Sequence, residues 1–90
     1  MGAAATAMPI TGTGTIRTGP GVYKGCSIRD TSGATNTVRI FDNTSASGTI
    51  LFAVQLAAGA SALDNPGDGV FFKTGVFLQA GAAVEGSVRL

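Results

Sequence analysis

Apolar and polar residues alternate along most of this chain in short runs, and Gly, Asn, Asp and Ser separate the runs. A period of two puts successive side chains on opposite faces of an extended segment. The pattern predicts about eight strands. Residues 10–18 carry Thr11, Thr13, Thr15 and Ile16, β-branched types that suit a pleated surface. After the turn Gly19-Pro20-Gly21, residues 22–30 place Val22, Cys26 and Ile28 on one face and Tyr23, Ser27 and Arg29 on the other. Residues 37–42 oppose Val38 and Ile40 to Arg39 and Phe41. Residues 43–48 form a polar loop. Residues 49–56 give the strongest signal, with Ile50, Phe52, Val54 and Leu56 opposite Leu51, Ala53 and Gln55. Further strands are expected at 60–63, 70–73, 75–80 and 83–90, with loops at 57–59 and 64–69.

No window of 11 or more residues shows a helical stripe, and Gly interrupts nearly every candidate helix. Short strands at this spacing indicate an all-β fold. The expectation is a small antiparallel β-sandwich, jelly-roll-like or barrel-like, over residues 10–90. Residues 1–9 are small and nearly featureless, and they read as an extended N-terminal arm. Met8, Pro9 and Ile10 are the candidate arm contacts. Removing residues 1–9 is expected to leave the fold intact and to weaken assembly.

The outward faces are unusual. On the assigned parity they carry Tyr23, Phe41, Leu51, Phe71 and Phe77, where a free sandwich shows polar residues. Either a bulge shifts the parity and these residues belong to the core, or they form an apolar subunit interface. Composition bears on the choice. Only 12% of the 90 residues are charged, and the net charge is +1. Soluble domains average about 25% charged. A parity error leaves that deficit unexplained, whereas a surface covered by other subunits accounts for it. A near-neutral surface also gives no electrostatic reason to expect nucleic acid or an anionic membrane as partner. No charge occurs between Asp42 and Asp64, but Asn43, Thr44, Ser45, Ser47, Thr49, Gln55 and Ser61 make that stretch too polar to span a bilayer.

Candidate chemistry is sparse. The chain has no His, so Ser-His and Cys-His nucleophile systems are absent. Cys26 is the single cysteine, at an inward position, and reads as an inert core residue rather than a disulfide or zinc ligand. The acidic residues are Asp30, Asp42, Asp64, Asp68 and Glu85. The four Asp lie at strand ends or in loops, where Asp caps and turns the chain. The 64–69 loop resembles a calcium loop only faintly. Pro66 and Gly75 stand where oxygen ligands are required. No catalytic residue, cofactor or metal is expected.

Two runs carry a resemblance. One is Gly21-Val-Tyr-Lys-Gly-Cys-Ser-Ile-Arg-Asp-Thr-Ser-Gly, followed by Val38-Arg-Ile-Phe-Asp-Asn-Thr-Ser-Ala-Ser-Gly-Thr-Ile-Leu. The other is Asp68-Gly-Val-Phe-Phe-Lys-Thr-Gly-Val-Phe-Leu-Gln-Ala-Gly, with the ending Val84-Glu-Gly-Ser-Val-Arg-Leu. Together they resemble small β-rich structural proteins of tailed bacteriophages over roughly residues 21–90. The resemblance rests on strands and turns, and it supplies no catalytic residues. It implies a non-enzymatic virion protein made in the host cytoplasm. It points to a capsid decoration or cement protein on the particle surface, often trimeric, whose partners are copies of itself and the major capsid protein. The alternative is a fibre or tail accessory module binding a carbohydrate or host receptor through Tyr23, Arg39 and the 43–48 and 64–69 loops.

Overall fold

Each of the eight expected strands contains an extended segment in the computed structural model, which describes residues 6–90, and two of them are interrupted. The expected strand at 10–18 is interrupted by a bend at 11–13: its second half is β2 (Gly14–Thr18), while Ile10 ends β1 (Ala7–Ile10), a strand formed mostly from the expected arm. The expected strand at 22–30 becomes β3 (Gly21–Tyr23) and β4 (Cys26–Asp30). Gly25 lies between them with φ 116°, a conformation that a side chain makes costly. The rest are β5 (Asn36–Asp42), β6 (Thr49–Leu56), β7 (Ser61–Asp64), β8 (Val70–Phe72), β9 (Gly75–Ala80) and β10 (Val84–Arg89). No helix occurs among the described residues.

The pairing follows one rule. β5 pairs with β6, β4 with β7, β3 with β8, β2 with β9 and β1 with β10, all antiparallel. The described chain is therefore a single nested hairpin folded about the 43–48 loop. Two further seams, β4 with β10 and β5 with β9, roll that hairpin onto itself. The result is a four-stranded sheet β1-β10-β4-β7 and a four-stranded sheet β2-β9-β5-β6, with β3-β8 as a short third sheet. This double-sheet architecture is a jelly roll. Rolling removes most free strand edges and leaves six among the described residues, one each on β1, β2, β3, β6, β7 and β8.

The core is one cluster drawn from all three sheets. Ile10, Cys26, Ile28, Val84 and Val88 come from the first sheet; Val38, Ile40, Leu56, Val76 and Leu78 from the second; Tyr23 and Phe72 from the third. Each fully buried Val, Ile, Leu or Phe contributes about 1.5–3 kcal/mol relative to exposure, and these side chains tie the layers together.

The N-terminal assignment needs correction. Residues 1–5 of the expected arm lie outside the described residues. Residues 7–9 are extended as expected, but they belong to strand β1 and pair with Arg89, Val88 and Ser87 of the same chain. Thr6 and Leu90 exchange backbone hydrogen bonds of 2.8 and 3.0 Å at the end of that ladder. Ile10, taken as an arm contact, is a core residue at 2% exposure; Met8 is half-buried and Pro9 exposed. The cause is the apolar pairing of β1 with the C-terminal strand, which sequence periodicity cannot locate.

Candidate interaction surface

Three of the five acidic side chains are taken up in holding loops. Asp30 ends β4 and is almost fully buried. Its carboxylate accepts N–H bonds from Gly59 at 2.9 Å, Gly33 at 3.1 Å and Ser32 at 3.2 Å, and also the Ser32 hydroxyl and the Asn36 amide. The Gly59 amide, then the Ser32 hydroxyl, hold its carboxyl far below the usual carboxylate range. Asp42 ends β5 and accepts the amides of Thr74 at 2.9 Å and Lys73 at 3.0 Å, and the Thr74 amide chiefly lowers its carboxyl. The Tyr23 hydroxyl donates to Asp64 Oδ2 at 2.7 Å, tying the third sheet to the end of β7. Burial pushes the Tyr23 phenol and the neighbouring Cys26 thiol up. These groups act as staples. Among the described residues, no three of His, Cys, Asp or Glu come together in a way that could hold a metal ion.

The five candidate interface residues separate. Tyr23 is fully buried in the core, because the break at Gly25 reverses the face on which residues 21–23 point. A sugar platform built on Tyr23 is therefore not available at the surface. Phe41 is on the face opposite Ile40, as the alternation requires, yet it is only 6% exposed. It lies between its cross-strand neighbours Phe77 and Ile50. Leu51 packs partly against the core, because β6 carries an extra residue there. Ile40 faces Phe52 and Phe41 faces Ile50, so Leu51 is bulged out of register. That bulge turns Ile50 outward, where the sequence parity placed it inward. Phe77 is half-buried beside Phe41 and Thr15. Only Phe71 is strongly exposed, at 82%.

Three exposed residues escape the sequence reading. Leu63 on β7 is 69% exposed, and Val70 precedes Phe71 on β8. Ile50 joins them through the bulge. Leu63 and Val70 adjoin loops, where too few residues alternate for a face to be assigned. Phe71 pairs directly with half-buried Val22, so the small β3-β8 sheet presents an aromatic ring on an apolar base. A shallow depression of ≈ 440 Å³ lies on the outer face of the β4-β7 seam. Leu63, Ser27, Ser61 and the exposed Arg29–Glu85 pair (3.7 Å) line it, with no aromatic side chain. Such an arrangement can bury apolar surface against a partner; it offers no stacked ring for a sugar. Comparison of the chain with protein-family models, with curated proteins and with solved structures finds no match.

Proposed function

We propose that this chain is a non-enzymatic structural component of a bacteriophage particle, a decoration or cement protein that stabilises the head through contacts at subunit junctions. The observation that carries the reading is Phe71, 82% exposed in a molecule with so few charges. An aromatic ring in water with apolar neighbours is the usual form of an interface anchor. Leu63, Val70 and Ile50 extend the exposed apolar surface to two further strands. Association then comes from burying apolar and backbone-rich surface, and many copies on a shell multiply a modest contact. The resemblance of residues 21–90 to phage structural proteins supplies the particle. Jelly rolls also occur in lectins and cupins, so the topology alone selects none of these roles.

The reading is tested by mass spectrometry of purified particles together with rebinding of the purified chain to shells stripped of it. Stoichiometric presence and saturable rebinding support it. A stable monomer absent from particles and unable to bind shells overturns it.

A further inference from the structure

Besides β3 and β8, which have three residues each and are too short to template a partner, the two four-stranded sheets leave four strand edges: β1 and β7 on one sheet, β2 and β6 on the other. Three of them are poor templates for pairing. In β1 the Thr6–Leu90 bonds fix the alternation, so Met8 and Ile10 face β10 while Ala7 and Pro9 face out. Proline has no N–H to offer there. β2 has five residues, carries Arg17 and loses register between Thr15 and Arg17. β7 has four residues and ends on Asp64. β6 is different. It is the longest strand, with eight residues, and neither a charge nor a proline occurs in it. The natural devices that discourage edge pairing are charge, proline, shortness and bulges. β6 has only the bulge at Leu51, which leaves residues 52–56 regular.

The direction of its free backbone groups follows from the ladder. Gly81 N–H donates to Thr37 C=O across the β5-β9 seam. Thr37 and Arg39 therefore face β9, and Val38 and Ile40 face β6. Val54 and Phe52 are their partners, so the N–H and C=O groups of Ala53 and Gln55 point out of the sheet. Among the described residues nothing accepts from or donates to them. The side chains beside this edge are Ile50, which is 48% exposed, and Leu51, Phe52 and Val54, which are only partly buried.

We propose that β6 pairs antiparallel with β6 of a second copy of this chain, merging two four-stranded sheets into one of eight strands about a twofold axis. The occupant is a second copy because antiparallel pairing of a strand with itself is self-complementary. With the axis at Val54, Ala53 meets Gln55 of the other copy, and each outward donor finds an outward acceptor. The absence of charge from 43 to 63 means that no like charges face each other across the seam, as a basic or acidic edge would impose. The half-buried Phe52 and Val54 gain cover from the continued sheet. The proposal stands on strand geometry and not on the virion reading, so loss of particle binding and loss of pairing are separate results.

Sedimentation equilibrium of the full chain tests it, with amide exchange as the local readout. The expected result is a mass twice 8.9 kDa. The Ala53 and Gln55 amides should also exchange about tenfold more slowly in the dimer than in dilute monomer. Ala53→Pro removes one outward N–H without touching the β5 ladder. Should it fold poorly, the double variant Ala53→Lys with Gln55→Lys keeps the backbone and sets four charges together. Either variant should weaken association by about tenfold or more, with an unchanged circular dichroism spectrum. A wild-type chain that stays at 8.9 kDa at millimolar concentration overturns the proposal. So does a trimer mass, or a folded double variant that associates as tightly as wild type.

Discussion

At the scale of single residues, the polar side chains hold the fold and define its pH range. Asp30 and Asp42 are ionised acceptors for backbone amides, and their native carboxyl groups titrate below the unfolded value of about 3.9. The unfolded chain therefore takes up protons first as pH falls. Stability should be flat down to about pH 5 and drop steadily below about pH 4, as the unfolded chain and then the native carboxyls protonate. Tyr23 and Cys26 shift the other way: the native phenol and thiol resist ionisation, so stability should hold to about pH 8 and fall as the unfolded thiol ionises at about 8.5 and the unfolded phenol at about 10. With no histidine, no imidazole adds a titration near neutral pH. Urea midpoints from pH 2 to 11 check the plateau; a midpoint that rose on acidification below pH 4 would contradict the Asp assignments. Tyr23→Phe isolates one staple. It keeps the buried ring and removes the donor to Asp64, at an expected cost of about 1–2 kcal/mol in denaturant unfolding.

Strand-scale effects come from close backbone approach and from the order of pairing. Gly86 sits in β10 with φ 144°, and a Cβ there would run into the Ser27 carbonyl oxygen of β4. Strain and steric overlap act together, so Gly86→Ala should cost about 3 kcal/mol or more, measured by chemical denaturation. β1 gives the second prediction at this scale. Because residues 7–9 are a paired strand and Ile10 is core, deleting residues 1–9 strips hydrogen bonds and cover from β10. A loss of at least about 1 kcal/mol should lower the melting temperature by roughly 4–8 °C. An unchanged melting temperature would restore the view of this segment as a dispensable arm.

Considered as a whole, the molecule separates a satisfied interior from an uncovered exterior. No buried side-chain nitrogen or oxygen among the described residues lacks a partner, while Phe71, Leu63 and Ile50 remain in water. Phe71→Ser removes an exposed ring that supports nothing inside. Its unfolding free energy should change by less than about 0.5 kcal/mol. Under the proposed function its affinity for shells should fall at least about tenfold, read by rebinding. The nested topology also sets the folding order. β5-β6 closes over a six-residue loop, whereas β1-β10 joins the two ends of the described chain. Formation from the central hairpin outward, on the slow scale of non-local β-proteins, is the expectation for stopped-flow measurement.

Alternation along 37–42 and 75–80 was enough to mark strands and to put Val38 and Ile40 on the face opposite Phe41, because local periodicity directly reports two faces. The sequence by itself determined the all-β class, most of the turn positions but not the breaks at 11–13 and Gly25, the burial of Cys26 and the shortage of charge. It could not determine which of the outward aromatics stay in water. Tyr23 turned inward at a glycine break, Leu51 at a bulge, and Phe41 was covered by neighbours from two other strands. A one-residue change of register reverses every face beyond it, and register is fixed by partners far along the chain. The tertiary structure alone decided that Phe71 is the exposed ring, that β1 closes the first sheet, and that β6 ends the second with its backbone groups unpaired. Those outcomes depend on long-range pairing energy, which no local window of sequence contains.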